Sequence, residues 1–224
     1  MAMHIAVIAK EPRPGHVKTR LCPPCTPDEA CAIAGAALSD TLDAIDRLAI
    51  VSPIVFERVL LFDGDPRGWL RPAWRAVPQH GDGLAARLAN GFAELGAGVI
   101  VGMETPQVVG ALGAALAALT RGRDAIGLAV DGGYWAIGLH HADPGVFTGV
   151  PMSASNTGLA QLRRLHALGR SVERLPAARD LDTFDDLVDA ATKRNGSERL
   201  REIARSVTSR VDAAGPIGEI SGRG

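Results

Sequence analysis

Ile5-Ala6-Val7-Ile8-Ala9-Lys10-Glu11-Pro12-Arg13-Pro14-Gly15-His16-Val17-Lys18-Thr19-Arg20-Leu21 is the stretch on which the fold turns. Its apolar opening, Ile5 to Ile8, reads as a buried first strand. Two prolines and a glycine then break regular structure for about six residues. Lys10, Arg13, Lys18 and Arg20 fall in that gap, with Glu11 the one acid among them. A basic loop at the carboxyl end of a first strand is where open α/β sheets receive anionic ligands. Arginine offers phosphate a planar fork and lysine a mobile point charge. The competing reading is a solvated basic loop. The stretch is neither a P-loop, since His16 and Val17 separate Gly15 from Lys18, nor a dinucleotide fingerprint, since no G-x-G-x-x-G follows the strand.

Working outward, the 224 residues suffice for one domain with a sizeable core. The expected domain spans residues 1–210, with a glycine-rich, disordered tail over 211–224. A net charge of −1 excludes the bulk basic character of a nucleic-acid binder. No run of about 18 apolar residues suggests a membrane span, and the start has no basic n-region. A cytoplasmic protein is the expectation. Cys22, Cys25 and Cys31 are an odd set that argues against a disulfide framework. Cys22-Pro23-Pro24-Cys25 has the spacing of a redox or zinc motif, and reads alternatively as a proline-rich connector with incidental thiols.

Short apolar runs alternate with longer helical ones, the pattern of α/β layering. Thr26, Pro27 and Glu29 form a capping box opening a helix that should run to about Leu48. Strands are expected at Arg58–Phe62, Trp74–Val77, Gly98–Met103, Ala125–Val130, Tyr134–Leu139 and Val172–Leu175. Asp82 suits an N-cap, and Leu84, Leu88, Phe92 and Leu95 recur at helical spacing, which predicts that they face the core. Thr105-Pro106 should start the next helix, and further helices are expected over Ser155–Leu168 and from about Phe184. Asp131-Gly132-Gly133 reads either as a tight hairpin turn or as a glycine-rich substrate loop.

In this layout Glu104, Asp131 and the pair Asp180 and Asp182 fall at strand ends on the loop-bearing side. Carboxylates there, opposite a basic loop, suit Mg²⁺ and phosphate. Each has a plainer reading. Glu104 could favour a helix N-terminus, Asp131 could be a turn residue, and Asp182 could cap a helix.

Taken in order, these pieces resemble a known family. They are K-x-P-x-x-G-x-V-K-T-R-L from Lys10, Q-x-G-D-G-L-x-x-R-L from Gln79, G-x-(acid)-x-P from Gly102, D-G-G-Y-W from Asp131 and D-x-D-T-x-x-D-L from Asp180. The chain resembles bacterial GT-A-type glycosyltransferases of the arsenosugar-biosynthesis kind over about residues 3–190. More distantly it is similar to phospholactate and molybdenum-cofactor guanylyltransferases. The resemblance implies a three-layer αβα sandwich with a mainly parallel central sheet, the nucleotide-diphospho-sugar transferase fold. It implies that Lys18 and Arg20 touch nucleotide phosphates and that Gln79, Gly81, Asp82 and Arg87 lie beside the nucleotide. Glu104 would hold Mg²⁺ or Mn²⁺, with Asp182 a second ligand and Asp180 its competitor. Gly132 and Gly133 would let backbone amides approach the acceptor or sugar, joined by Tyr134.

On this reading Lys18, Arg20 and Asp131 carry the chemistry, and Lys10 and Arg13 add charge for the nucleotide. The ligands are a nucleotide or nucleotide-sugar and a small-molecule acceptor. Two departures stand out. Glu104 replaces the family's aspartate, and Met152-Ser153-Ala154-Ser155-Asn156 replaces a tryptophan and a Ser/Thr run. The function expected is metal-assisted glycosyl transfer from a nucleotide-diphospho-sugar. The alternatives are nucleotidyl transfer from a triphosphate to a phosphorylated acceptor, and nucleotide binding without catalysis.

Overall fold

The computed structural model describes residues 3–104, 110–179, 181, 183–192 and 197–214. They fall into two units, one of residues up to Glu11 with Ala37–Asp180, the other of Pro12–Ala36 with residues from Leu181 onward.

The first unit is built on a seven-stranded sheet. Its strands are β1 (Met3–Lys10), β2 (Phe56–Asp63), β3 (Trp74–Pro78), β4 (Gly98–Gly102), β5 (Asp124–Ala129), β6 (Tyr134–Leu139) and β7 (Val172–Ala178). The spatial order is β3-β2-β1-β4-β6-β5-β7. β1 pairs in parallel with β2 and β4, setting Ile5 opposite both Arg58 and Val99. β2 and β3 are parallel, as are β5 and β7. β6 alone runs antiparallel, between β4 and β5. The expected αβα sandwich with a mainly parallel sheet is therefore what the chain forms.

Buried parallel strands read as near-continuous apolar runs, as Val59-Leu60-Leu61-Phe62 does. Helix α2 (Gly83–Leu95) and helix α4 (Thr157–Ala167) send Leu88, Phe92, Leu95 and Leu165 onto Ala6, Leu61, Ile100 and Ile137. The opposite face carries helix α3 (Leu112–Thr120), whose Leu119 borders Gly138 beside Val99. It also carries the later part of helix α1 (Pro27–Val51), whose Thr41 hydroxyl donates to Met103 O at 3.2 Å. Leu84 departs from expectation. It stands in the first turn of α2, where the chain is still clear of the core, and is exposed. The expected helix start at Thr105-Pro106 lies outside the described residues.

The hairpin reading of Asp131-Gly132-Gly133 is the one the structure takes, joining β5 to β6. Gly132 has φ +95°, and a Cβ there would lie 1.8 Å from Ser155 O. Gly158 N returns a hydrogen bond to Gly132 O at 2.8 Å. Trp135 is buried over Gly127, where a Cβ would lie 2.2 Å from the indole, and its Nε1 donates to Pro176 O at 3.0 Å.

At the edge where β5 begins and β6 ends sits a charged cluster. Asp124 is fully buried. Its Oδ1 accepts from His140 N at 3.0 Å and lies 2.6 Å from His140 Nδ1. Its Oδ2 accepts from Arg170 Nη1 at 3.0 Å, and Arg170 Nη2 reaches Asp143 Oδ2 at 3.1 Å. Buried charges persist when paired in this way.

The second unit holds the basic loop, the first turns of α1, helix α5 (Phe184–Thr192) and helix α6 (Glu198–Ala214). Its core gathers Leu21, Ile33, Leu181, Leu187, Leu200 and Val207. The capping box forms as expected: Thr26 N donates to Glu29 Oε2 at 2.7 Å and Glu29 N to Thr26 Oγ1 at 3.2 Å. Arg210 grips the same carboxylate with Nε and Nη2, both at 2.7 Å, and this holds the Glu29 pKa below its ordinary value. Thr183 and Asp186 make the equivalent box for α5. Residues 211–214 continue α6, and the rest of the expected tail lies outside the described residues.

Candidate functional site

In the first unit six strands point the same way, so their carboxyl ends share one edge, and the reversed β6 begins there. Lys10 ends β1, Asp63 ends β2, and Gln79 follows β3. Glu104 lies two residues beyond β4, Asp131 two beyond β5, and Tyr134 opens β6. This edge of the first unit thus collects Lys10, Gln79, Gly81, Asp82, Arg87, Glu104, Asp131, Gly132, Gly133 and Tyr134 of the residues singled out from sequence. Arg13, Lys18 and Arg20 belong to the second unit.

Gln79 is a strap. Its Nε2 donates to Ala9 O at 2.7 Å and Leu61 O at 3.0 Å, tying down the ends of β1 and β2. Both amide hydrogens are consumed, so what it has left to offer a ligand is a lone pair on Oε1. Arg87 reaches out of α2 to that same Oε1 at 3.1 Å, to Asp63 Oδ2 at 2.7 Å and to Gly81 O at 3.4 Å. Its charge is shared with Asp63. Asp82 holds the N-cap position of α2 without a side-chain capping bond. Asn90 Nδ2 donates to His80 O at 3.0 Å, so the turn over residues 79–83 is pinned from α2 at two points. Gly81, at φ +107°, has room for no Cβ, which would lie 2.7 Å from that of Ala86.

Glu11 and Asp63 are residues that sequence reasoning passed over. Glu11 N donates to Asp63 O at 2.8 Å, and its Oε2 accepts from Asp65 N at 3.0 Å. Gly64, at φ +131°, lets that side chain in, since a Cβ would lie 2.5 Å from Glu11 Cβ. The signal available was an acid within a basic loop and an Asp-Gly pair at a strand end.

Asp131 is exposed, and its Oδ1 accepts from Gly133 N at 2.9 Å, an Asx turn. Its Oδ2 makes no hydrogen bond among the described residues. Gly133 faces this carboxylate, 3.2 Å from where its Cβ would stand. Tyr134 packs into the core cluster of α2 and α4, its hydroxyl donating to Met152 Sδ at 3.8 Å. Burial pushes its pKa up, so this phenol stays protonated.

In the second unit the loop turns at Gly15, with His16 N donating to Arg13 O at 3.0 Å. Lys18 adopts a left-handed backbone at φ 50° and ψ 34°, opening a 3₁₀ turn over Thr19–Leu21. Its Nζ donates to Leu181 O. Arg13 and Arg20 are exposed. Asp180 and Asp182 lie outside the described residues. Cys25 is buried, and burial together with the neighbouring Glu29 charge pushes its thiol up to about 11. That is the reverse of an activated thiol. Among the described residues no three His, Cys, Asp or Glu side chains gather as a metal group. None of the helices described is long and apolar enough to cross a membrane.

The chain belongs to the family described as "uncharacterized protein conserved in bacteria (DUF2064)", whose model matches residues 41–154. No curated protein matches it. Among solved structures it is similar to a candidate nucleotide-diphospho-sugar transferase from Desulfovibrio desulfuricans G20. That pair shares 25% identity and a TM-score of 0.82 across 95% of this chain and 98% of the other. It is also similar to CMP:2-keto-3-deoxy-manno-octonic acid synthetase in complex with CTP, at 11% identity and a TM-score of 0.51, over 94% and 100% of the two chains. The bifunctional IspDF from Campylobacter jejuni has the same identity and TM-score, over 84% of this chain and 54% of that one. At such identities the last two show the fold alone.

Proposed function

We propose that this member of the DUF2064 family is a divalent-cation-assisted transferase that draws on a nucleotide-diphospho-sugar. The observation that carries the reading is the shared carboxyl-terminal edge, where Lys10, Asp63, Gln79, Glu104 and Asp131 end or follow five strands running the same way. Open α/β sheets bind their ligands at such edges. The likeness to the Desulfovibrio protein along nearly the whole of both chains supports it, as does the motif resemblance to glycosyltransferases of the arsenosugar-biosynthesis kind.

In this reading Lys18 and Arg20 are phosphate ligands, with Lys10 and Arg13 adding positive charge. Residues 79–87 frame the nucleotide, with Gln79 and Arg87 shaping the turn more than touching the ligand. Asp131, with one oxygen fixed by Gly133 N, has the other available to take a proton from an acceptor hydroxyl. Glu104 offers the hard oxygen that Mg²⁺ or Mn²⁺ prefers. Such a cation supplies charge neutralisation at the phosphate oxygens.

Nucleotidyl transfer is the second reading, favoured by the density of cations between Lys10 and Arg20, which suits a triphosphate. Thermal unfolding with UDP-glucose, GDP-mannose, CTP and GTP, each with and without Mg²⁺ or Mn²⁺, tests both. A ligand at a hundred times its Kd stabilises by about 2.7 kcal/mol. Cation-dependent stabilisation by a nucleotide-sugar, followed by release of nucleoside diphosphate, supports the first reading. Stabilisation by a triphosphate with pyrophosphate release supports the second. No stabilisation by any of the four sinks both.

A further inference from the structure

His140 and His141 follow β6 at the edge of the first unit where β5 begins, away from the strand ends described above. Their rings stand 5.7 Å apart, tilted by 50°. Each holds an oxygen with Nδ1. His140 Nδ1 lies 2.6 Å from the buried Asp124 Oδ1, and His141 Nδ1 lies 3.0 Å from Ala142 O. A carboxylate and a carbonyl oxygen are acceptors only, so in the neutral rings both Nδ1 atoms carry the proton. Both Nε2 atoms then carry a lone pair, and no hydrogen bond among the described residues engages either.

Metal-ligating histidines are held in this manner, one nitrogen donating to a carboxylate or backbone carbonyl while the other faces the ion. The separation is compatible with a shared ion: at a metal–nitrogen distance of about 2.1 Å an ion lies about 3.2 Å from each ring centroid, so centroids 5.7 Å apart would subtend about 125° at an ion toward which both Nε2 atoms turned. The charge balance agrees: Asp124 and Asp143 bear two negative charges against the one positive charge of Arg170. Asp143 is itself committed to Arg170 and to Gly145 N, so it serves the surroundings and not the ion.

The geometry points to a binding site at His140 and His141 for a first-row divalent ion of the zinc, cobalt or nickel type. Imidazole selects these ions over Mg²⁺. Two protein ligands leave the remaining positions to water or to an incoming group, so the site is exchangeable and distinct in chemistry from the carboxylate site proposed for the transferase.

The test uses the full chain, freed of any polyhistidine tag. Co²⁺ is titrated while its visible absorption is followed, and Zn²⁺ by calorimetry, on wild type, His140→Ala and His141→Ala. The expected result is an absorption band from Co²⁺ with nitrogen ligands and Zn²⁺ affinity about tenfold or more weaker in either histidine variant. Proton spectra should show the two imidazole signals moving together as Zn²⁺ is added, a readout that does not depend on either variant folding. Binding unaltered by both histidine substitutions, imidazole signals that stay put, or no binding at about 1 mM Zn²⁺ overturns the proposal.

Discussion

Arg87 Nη1 lies 2.7 Å from Asp63 Oδ2 and 3.1 Å from Gln79 Oε1, so one guanidinium on α2 clamps the ends of β2 and β3. Arg87 and Asp63 are both partly open to water, so the ion pair itself contributes little to stability. The amide behind it matters more. Gln79→Ala leaves Ala9 O and Leu61 O without their donor and should cost about 1–3 kcal/mol in urea denaturation. Gln79→Glu should cost more, because a carboxylate would then face two carbonyl oxygens. Equal stability of wild type and both variants would show that water replaces the strap without penalty.

The two glycines of the hairpin should separate in their effects. Gly132→Ala sets a Cβ against Ser155 O and demands a positive φ, so the melting temperature should fall by an amount corresponding to about 3 kcal/mol or more. Gly133→Ala meets only the Asp131 carboxylate and should leave the melting temperature within a few degrees while disturbing turnover. Matching melting temperatures for the two variants would contradict the close approach at Gly132.

Stability should also depend on the pH through His4. This residue is buried on β1, and burial holds its pKa down to about 4. The unfolded imidazole takes its proton near 6.5, so between these values the unfolded chain binds more protons. The stability that neutral His4 allows is complete above the unfolded value and is lost as the pH falls through the folded one, by up to roughly 3 kcal/mol. Urea midpoints measured down this range should drop more steeply for wild type than for His4→Leu. Parallel curves would show that carboxylates alone set the acid limb.

The basic loop offers a contrast between two cations. Arg20 is exposed, so Arg20→Ala should weaken nucleotide binding by about 1.5–3 kcal/mol with little loss of stability. Lys18 also donates to Leu181 O, so Lys18→Ala should reduce both. Calorimetry paired with denaturation resolves the two quantities. Unchanged affinity in both variants would make the loop a solvated basic surface.

What could be read from the sequence was what depends on near neighbours. The Thr26–Glu29 box, the helix behind it and the apolar strands are set by residues three or four apart, or by runs within one element. Periodicity placed Leu88 and Phe92 in the core but misplaced Leu84, because spacing alone does not say where along a helix the sheet beneath it stops. The contacts of Arg87 with Asp63 and of Arg170 with Asp124 span 24 and 46 residues and form only through the sheet order. The second unit rests on the same kind of distant pairing. Its core joins residues 21–36 to residues 181–207, across the whole of the sheet-bearing segment.

The reversal of β6 bears on how the chain finds its fold. Leu128 pairs with Tyr134 across a four-residue turn, whereas β1 with β2, β4 with β6 and β5 with β7 each join residues separated by a helix or more. Loop closure is least costly at the shortest separation, so β5 and β6 can associate before the parallel neighbours have partners. A hairpin formed first supplies a ready template on either flank, β4 on one side and β7 on the other. Substitutions within Asp124–Leu139 should then slow refolding in proportion to the stability they remove, while substitutions in β3, at the far margin, should chiefly hasten unfolding.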